Sequence, residues 1–131
     1  MTVALLDTSV VVDLADARVS AALPAQAAIS SITLAELTAG PQLATDPLER
    51  ARRIAHLQQI EGLFDALPFD REAARSYGLV VAAISRAGRS HRRRFADLLI
   101  AAVAHASRAD LYTRNPADFA GLGDLLRVVA I

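Results

Sequence analysis

Residues 3–10 read Val3-Ala4-Leu5-Leu6-Asp7-Thr8-Ser9-Val10. Four apolar residues run without a polar break and stop at an aspartate. A short apolar run that does not alternate is the pattern of a strand buried on both faces, as in a parallel sheet. Asp7-Thr8-Ser9 then offers side-chain oxygens that can cap a helix, predicted to continue to about Ala17. Further along, Ala27 to Ile32 reads as a second strand. Thr33-Leu34-Ala35-Glu36 has capping-box spacing, which predicts a helix starting there and stopping near Gly40-Pro41. Pro47 to Phe64 carries apolar residues at helical spacing. Ala66 to Phe69 is a short strand, and Asp70 caps a helix from Arg71 to Ala87 that Gly88 closes. After a basic break from Arg89 to Arg94, an Ala-rich helix spans Phe95 to Ser107. Leu111 to Thr113 and Leu126 to Ile131 are the remaining strands. Strands alternating with helices predict an α/β fold with a mostly parallel sheet, whose sites lie at the carboxyl ends of the strands.

The chain has 131 residues, the size of a single domain spanning 1–131, and needs no metal or disulfide to fold. It has no Cys, which excludes disulfides, thiolate zinc sites and cysteine nucleophiles. His56, His91 and His105 are scattered without zinc-ligand spacing. All 14 basic residues are Arg and balance 14 acidic ones. Without Lys there is no P-loop and no Schiff base. Net neutrality argues against bulk electrostatic binding of nucleic acid but leaves room for a local basic patch. No apolar run approaches a membrane span, and the start lacks a signal-peptide pattern. The expected compartment is the cytoplasm.

The acidic residues fall where such a sheet would gather them. Asp7 follows the first strand, and Glu36 lies in the turn after the second. Asp97 opens the Ala-rich helix, and Asn115 and Asp118 follow the Leu111 strand. Carboxylates sharing a cleft repel, at roughly 4 kcal/mol per pair at 4 Å and an effective dielectric near 20. Oxygen-only sites relieve this by binding Mg²⁺ or Mn²⁺. Each residue also has an ordinary reading. Asp7 and Asp118 serve as helix caps, Glu36 as the Glu of the capping box, and Asp97 as a partner of a helix dipole.

Four stretches together resemble the PIN-domain ribonucleases, specifically the VapC-like toxins of bacterial toxin–antitoxin pairs. They are Leu5-Leu6-Asp7-Thr8-Ser9-Val10, Ser31-Ile32-Thr33-Leu34-Ala35-Glu36-Leu37, Phe95-Ala96-Asp97-Leu98-Leu99-Ile100-Ala101-Ala102 and Leu111-Tyr112-Thr113-Arg114-Asn115-Pro116-Ala117-Asp118-Phe119. The resemblance implies a three-layer α/β/α domain and a Mg²⁺- or Mn²⁺-dependent endoribonuclease. It implies Asp7 and Asp97 as principal metal ligands and Glu36 as a third, direct or through water. Thr8 or Ser9 would bond the carboxylates or the metal's waters. It further implies a cognate VapB-like antitoxin, a homodimer, and a heterotetramer or larger assembly with the antitoxin. The fourth motif departs, because Asn115 stands where the family has its fourth acidic residue. Asp118 is close enough in sequence to supply the missing charge.

Arg92, Arg93, Arg94 and Arg114 are candidates to hold RNA phosphates, since guanidinium forks match phosphate oxygens. Their ordinary reading is a solvated basic loop. Other phosphotransfer folds fit less well. A phosphatase of the aspartyl-phosphate type needs a second Asp where Ser9 stands, a receiver domain needs a Lys, and a dinucleotide site needs glycines after the first strand. The alternative of a different class is a catalytically weak PIN-like module that binds RNA or a partner.

Overall fold

The computed structural model describes residues 3–131; Met1 and Thr2, part of the N-terminal reading above, lie outside them. The opening apolar run forms β1 (Ala4–Leu6), the middle strand of a five-stranded sheet. On one side lie β2 (Ala27–Ser30) and β3 (Ala66–Leu67), and on the other β4 (Asp110–Thr113) and β5 (Val128–Ala130). Every pairing is parallel, with Leu5 opposite Ala28 and Leu111. Parallel strands need helical crossovers, and those helices bury both faces of the sheet. Ala4, Leu6 and Ile29 point to one face and meet Val10, Val11, Val19 and Ile60. Leu5, Ala28 and Leu111 point to the other, against α5 (Arg71–Arg86) and α6 (Phe95–Ala106). The result is the three-layer α/β/α arrangement. The chain leaves β1 toward β2 and later returns on the far side for β4. This reversal opens a crevice at the carboxyl end of β1.

Two helices differ from the sequence reading. The predicted helix to Ala17 breaks into α1 (Thr8–Val11) and α2 (Ala17–Ala22). The β-branched run Val10-Val11-Val12 favours continuation only weakly, and the Asp16 carboxylate caps a fresh start by accepting from Arg18 N at 2.9 Å. The second strand ends at Ser30, and α3 (Ser31–Leu43) starts two residues ahead of the supposed capping box. Ser30 is the true cap, its hydroxyl accepting from Thr33 N at 3.1 Å. α3 also runs through Gly40-Pro41. Arg53 Nη1 bonds Gly40 O at 2.8 Å, and Arg50 Nε bonds Pro41 O at 3.2 Å. These arginines of α4 (Pro47–Leu63) satisfy carbonyls that a helix end otherwise leaves open.

Candidate active site

Asp7 lies at the carboxyl end of β1, with only 3% of its surface exposed. It occupies the N-cap position of α1, yet its side chain makes no capping bond. Its Oδ2 instead accepts from Ser9 Oγ at 2.7 Å and from Thr113 Oγ1 at 2.9 Å. Each hydroxyl in turn accepts a backbone N–H from the loop after β4. Arg114 N donates to Ser9 at 3.1 Å, and Asn115 N donates to Thr113 at 2.9 Å. The loop carrying the fourth motif is thereby fastened to the first. The other oxygen, Asp7 Oδ1, is buried and has no hydrogen-bond partner; among the described residues no other buried side-chain N or O atom is left so. A buried unpartnered carboxylate oxygen is costly unless something positive meets it.

Glu36 projects from the second turn of α3 on the other side of β1. Thr8 Oγ1 donates to Glu36 Oε1 at 2.8 Å, and the buried Thr33 hydroxyl stands 2.9 Å behind Thr8. Glu36 is therefore held by the first motif and does not close a capping box. Its exposed position leaves the second oxygen free for a ligand or a water.

Asp97, in the first turn of α6, feels all of these charges. Burial is the chief cause of its carboxyl being pushed up to about 6. The negative charges of Asp7, Asp118 and Glu36 add to this in that order, and Arg94 opposes it. Asp7, Asp118 and Glu36 are thus each close enough for their charge to act on Asp97. A carboxyl raised from 3.8 to about 6 favours the folded state while protonated. That contribution is complete below about 3.8 and is lost as pH rises through about 6. Metal-free protein should therefore show a steeper fall in melting temperature between pH 4 and 6 than Asp97→Asn does. Added Mn²⁺ should stabilise the wild type most above pH 6 and progressively less below it, where protons compete for the same oxygens. Thermal scans across pH, with and without Mn²⁺, check both. Parallel curves for wild type and Asp97→Asn would contradict them.

The fourth motif divides. Asn115 is exposed, and its side chain does not cap the 3₁₀ turn Pro116–Phe119 that follows it. Asp118 faces the acidic group but is already engaged, its Oδ1 lying 3.2 Å from Arg94 Nη1. Arg114 turns away to pair with Asp13 Oδ2 at 2.8 Å, which commits this candidate phosphate binder to the turn after α1. Arg92 and Arg93 are exposed, and neither makes an ion pair among the described residues. Arg93 and Arg94 line a cavity of about 370 Å³ with Arg89, Ser90 and Asp118, beside the acidic group. His105 bonds Ser76, with Nδ1 2.8 Å from Oγ.

Thr113, Thr33 and Ser30 carry much of this arrangement and were not singled out as site residues in the sequence. All three are fully buried strand-end or helix-start residues with short hydroxyls. Their signal is their position at carboxyl ends of predicted parallel strands, readable only once strand order is known.

The donor set suits a hard divalent cation. It consists of carboxylate and hydroxyl oxygens, it includes one orphaned buried carboxylate oxygen, and its charges repel. Among the described residues no three His, Cys, Asp or Glu side chains stand close enough to enclose an ion by themselves. Water and substrate oxygens would complete the shell, as is usual for Mg²⁺.

Comparison with known proteins accords with this geometry. The family model described as PIN domain matches residues 4–124. Ribonuclease VapC5 of Mycobacterium tuberculosis is 39% identical over 119 residues, which cover 89% of this chain and 85% of that protein. Ribonuclease VapC1 of Rickettsia felis is 30% identical over 122 residues, covering 88% of this chain and 87% of that one. The crystal structure of a member of the VapBC family of toxin–antitoxin systems, VapBC-5 from Mycobacterium tuberculosis, matches with a TM-score of 0.85 at 32% identity over 100% of both chains. Divalent-metal dependence is general among PIN-domain ribonucleases. Among the described residues of this chain no helix is long and apolar enough to cross a membrane. Matched by that family model over most of its length and 39% identical to a VapC ribonuclease, the chain belongs to the PIN-domain family, among the VapC ribonucleases.

Proposed function

We propose that this chain is a metal-dependent endoribonuclease, the toxin of a toxin–antitoxin pair, with residues 1–131 acting as one domain. The observation that carries the reading is the orphaned Asp7 Oδ1, buried at the sheet's switch point beside the mutually repelling charges of Glu36, Asp97 and Asp118. Asp7 and Asp97 would hold Mg²⁺ or Mn²⁺, with Glu36 bonding the ion or one of its waters. When bound, such an ion polarises a phosphoryl oxygen and lowers the pKa of a water nucleophile. The protein's own share is positional. Ser9 and Thr113 hold Asp7 Oδ2 and leave Oδ1 without a partner. Thr8 holds Glu36. Arg92 and Arg93, both exposed, would take backbone phosphates of the RNA. Pairing with a VapB-like antitoxin and assembly as a dimer or larger complex come from the likeness to the VapBC structures. Expected location is the cytoplasm.

The test is incubation of antitoxin-free protein with total RNA and Mg²⁺ or Mn²⁺. Discrete fragments should form and should disappear with EDTA. Well-folded protein that yields no fragments with either metal would favour a PIN-like module that only binds RNA or a partner. The exposed Asn115 is the one feature that points that way.

A further inference from the structure

Among the described residues, Arg94 alone ties the basic break to the fourth motif by an ion pair. It does so from a conformation that most residues avoid. Its φ of 58° and ψ of 39° lie in the left-handed region, where an L side chain costs about 1 kcal/mol or more. An ion pair exposed to this degree, 42% for Arg94 and 30% for Asp118, contributes about 0–1 kcal/mol. Stability therefore does not account for Arg at this position, since Gly or Asn would start α6 with less strain.

The geometry is specific. Arg94 Nη1 lies 3.2 Å from Asp118 Oδ1 and also donates to Ala117 O at 3.2 Å. Arg89 Nη2 donates to the same carbonyl at 3.2 Å, so the 3₁₀ turn keeps one anchor without Arg94. Arg94 precedes Asp97 by three residues and lines one cavity with Leu98 and Asp118, so both charges stand beside the acidic crevice. Asn115 supplies no charge, and Asp118 is the remaining carboxylate of the fourth motif.

We infer that Arg94 is a positioning residue that holds the charge of Asp118 back from the cation. The site then meets its metal with the carboxylates of Asp7, Glu36 and Asp97 free and that of Asp118 neutralised. This inference rests on the metal-site reading above and specifies which carboxylates act in it.

The test is a double-mutant cycle read by calorimetric titration with Mn²⁺ in the absence of RNA. Arg94→Gly keeps the left-handed backbone at no steric cost and removes the guanidinium. It should bind Mn²⁺ about tenfold more tightly than wild type. Asp118→Asn alone should bind Mn²⁺ more weakly than wild type, because it leaves the Arg94 charge unpaired beside the site. The double variant, with both charges gone, should bind about as wild type does. Arg94→Lys, which keeps the charge, should resemble wild type. An unchanged or weaker affinity in Arg94→Gly, with native circular dichroism, overturns the inference. So does a double variant that binds as tightly as Arg94→Gly, which would make Arg94 a repulsive charge independent of Asp118. The RNA assay separates the two readings. Metal-dependent cleavage with a double variant as tight as Arg94→Gly removes only this inference, whereas failure of every variant to bind Mn²⁺ removes both.

Discussion

Asp7→Asn should lower metal-dependent RNA cleavage at least about 10³-fold while leaving the melting temperature within a few degrees of wild type. The first expectation follows from the lost charge. A metal ligand at this site contributes several kcal/mol to transition-state stabilisation, and about 4 kcal/mol corresponds to 10³ in rate. The second follows from the hydroxyl network. The Asn carbonyl can still accept from Ser9 Oγ and Thr113 Oγ1, which occupy a single oxygen of Asp7. Asp7→Ala should lose the same activity but also melt lower. It strands both hydroxyls, at a cost of about 2–3 kcal/mol, or roughly 6–10 °C for a domain of this size. Gel-based cleavage of total RNA beside thermal scans reads both quantities. Asp7→Asn cleaving within tenfold of wild type would remove Asp7 from the metal site.

Thr113→Val should prove the most damaging substitution that deletes no charge. The side chain is fully buried, and Val fills the same volume. Only the hydroxyl goes, but it is spoken for twice, by Asp7 Oδ2 and by Asn115 N. Losing a bond to a carboxylate and stranding a backbone donor should cost about 2–4 kcal/mol. Melting should drop by about 6–12 °C. Cleavage should fall about 10- to 100-fold, because Asp7 loses one of the two bonds that fix its orientation. Thr113→Ser restores the hydroxyl and should recover most of both. A Val variant melting within 2 °C of wild type would show that the buried hydroxyl does not hold the two motifs together.

Sequence reading reached the acidic residues and the strand order's parallel character because both rest on local signals. An apolar run ending in Asp7 is visible in four letters. The Ala-rich helix behind Asp97 is visible in its composition. What escaped depended on residues far away in the chain. Gly40-Pro41 reads as a helix stop, yet Arg50 and Arg53 supply partners that let α3 continue. Thr33 and Glu36 read as a capping box, yet Ser30 caps and Glu36 bonds Thr8 across 28 residues. Arg114 reads as a phosphate binder, yet Asp13 claims it across 101 residues. In each case a tertiary partner overrides a local preference. Asp118 was legible as a candidate, but its pairing with Arg94 was not, since nothing in sequence announces a left-handed arginine at a helix start.

The bond between Asp7 and Thr113 joins positions 106 residues apart. On the ribosome, Asp7 emerges early and must wait for β4 before its carboxylate has a second hydroxyl to orient it. A partly made chain carries Asp7 without the strand that aims its carboxylate, so the arrangement around it is complete only after most of the domain has been synthesised.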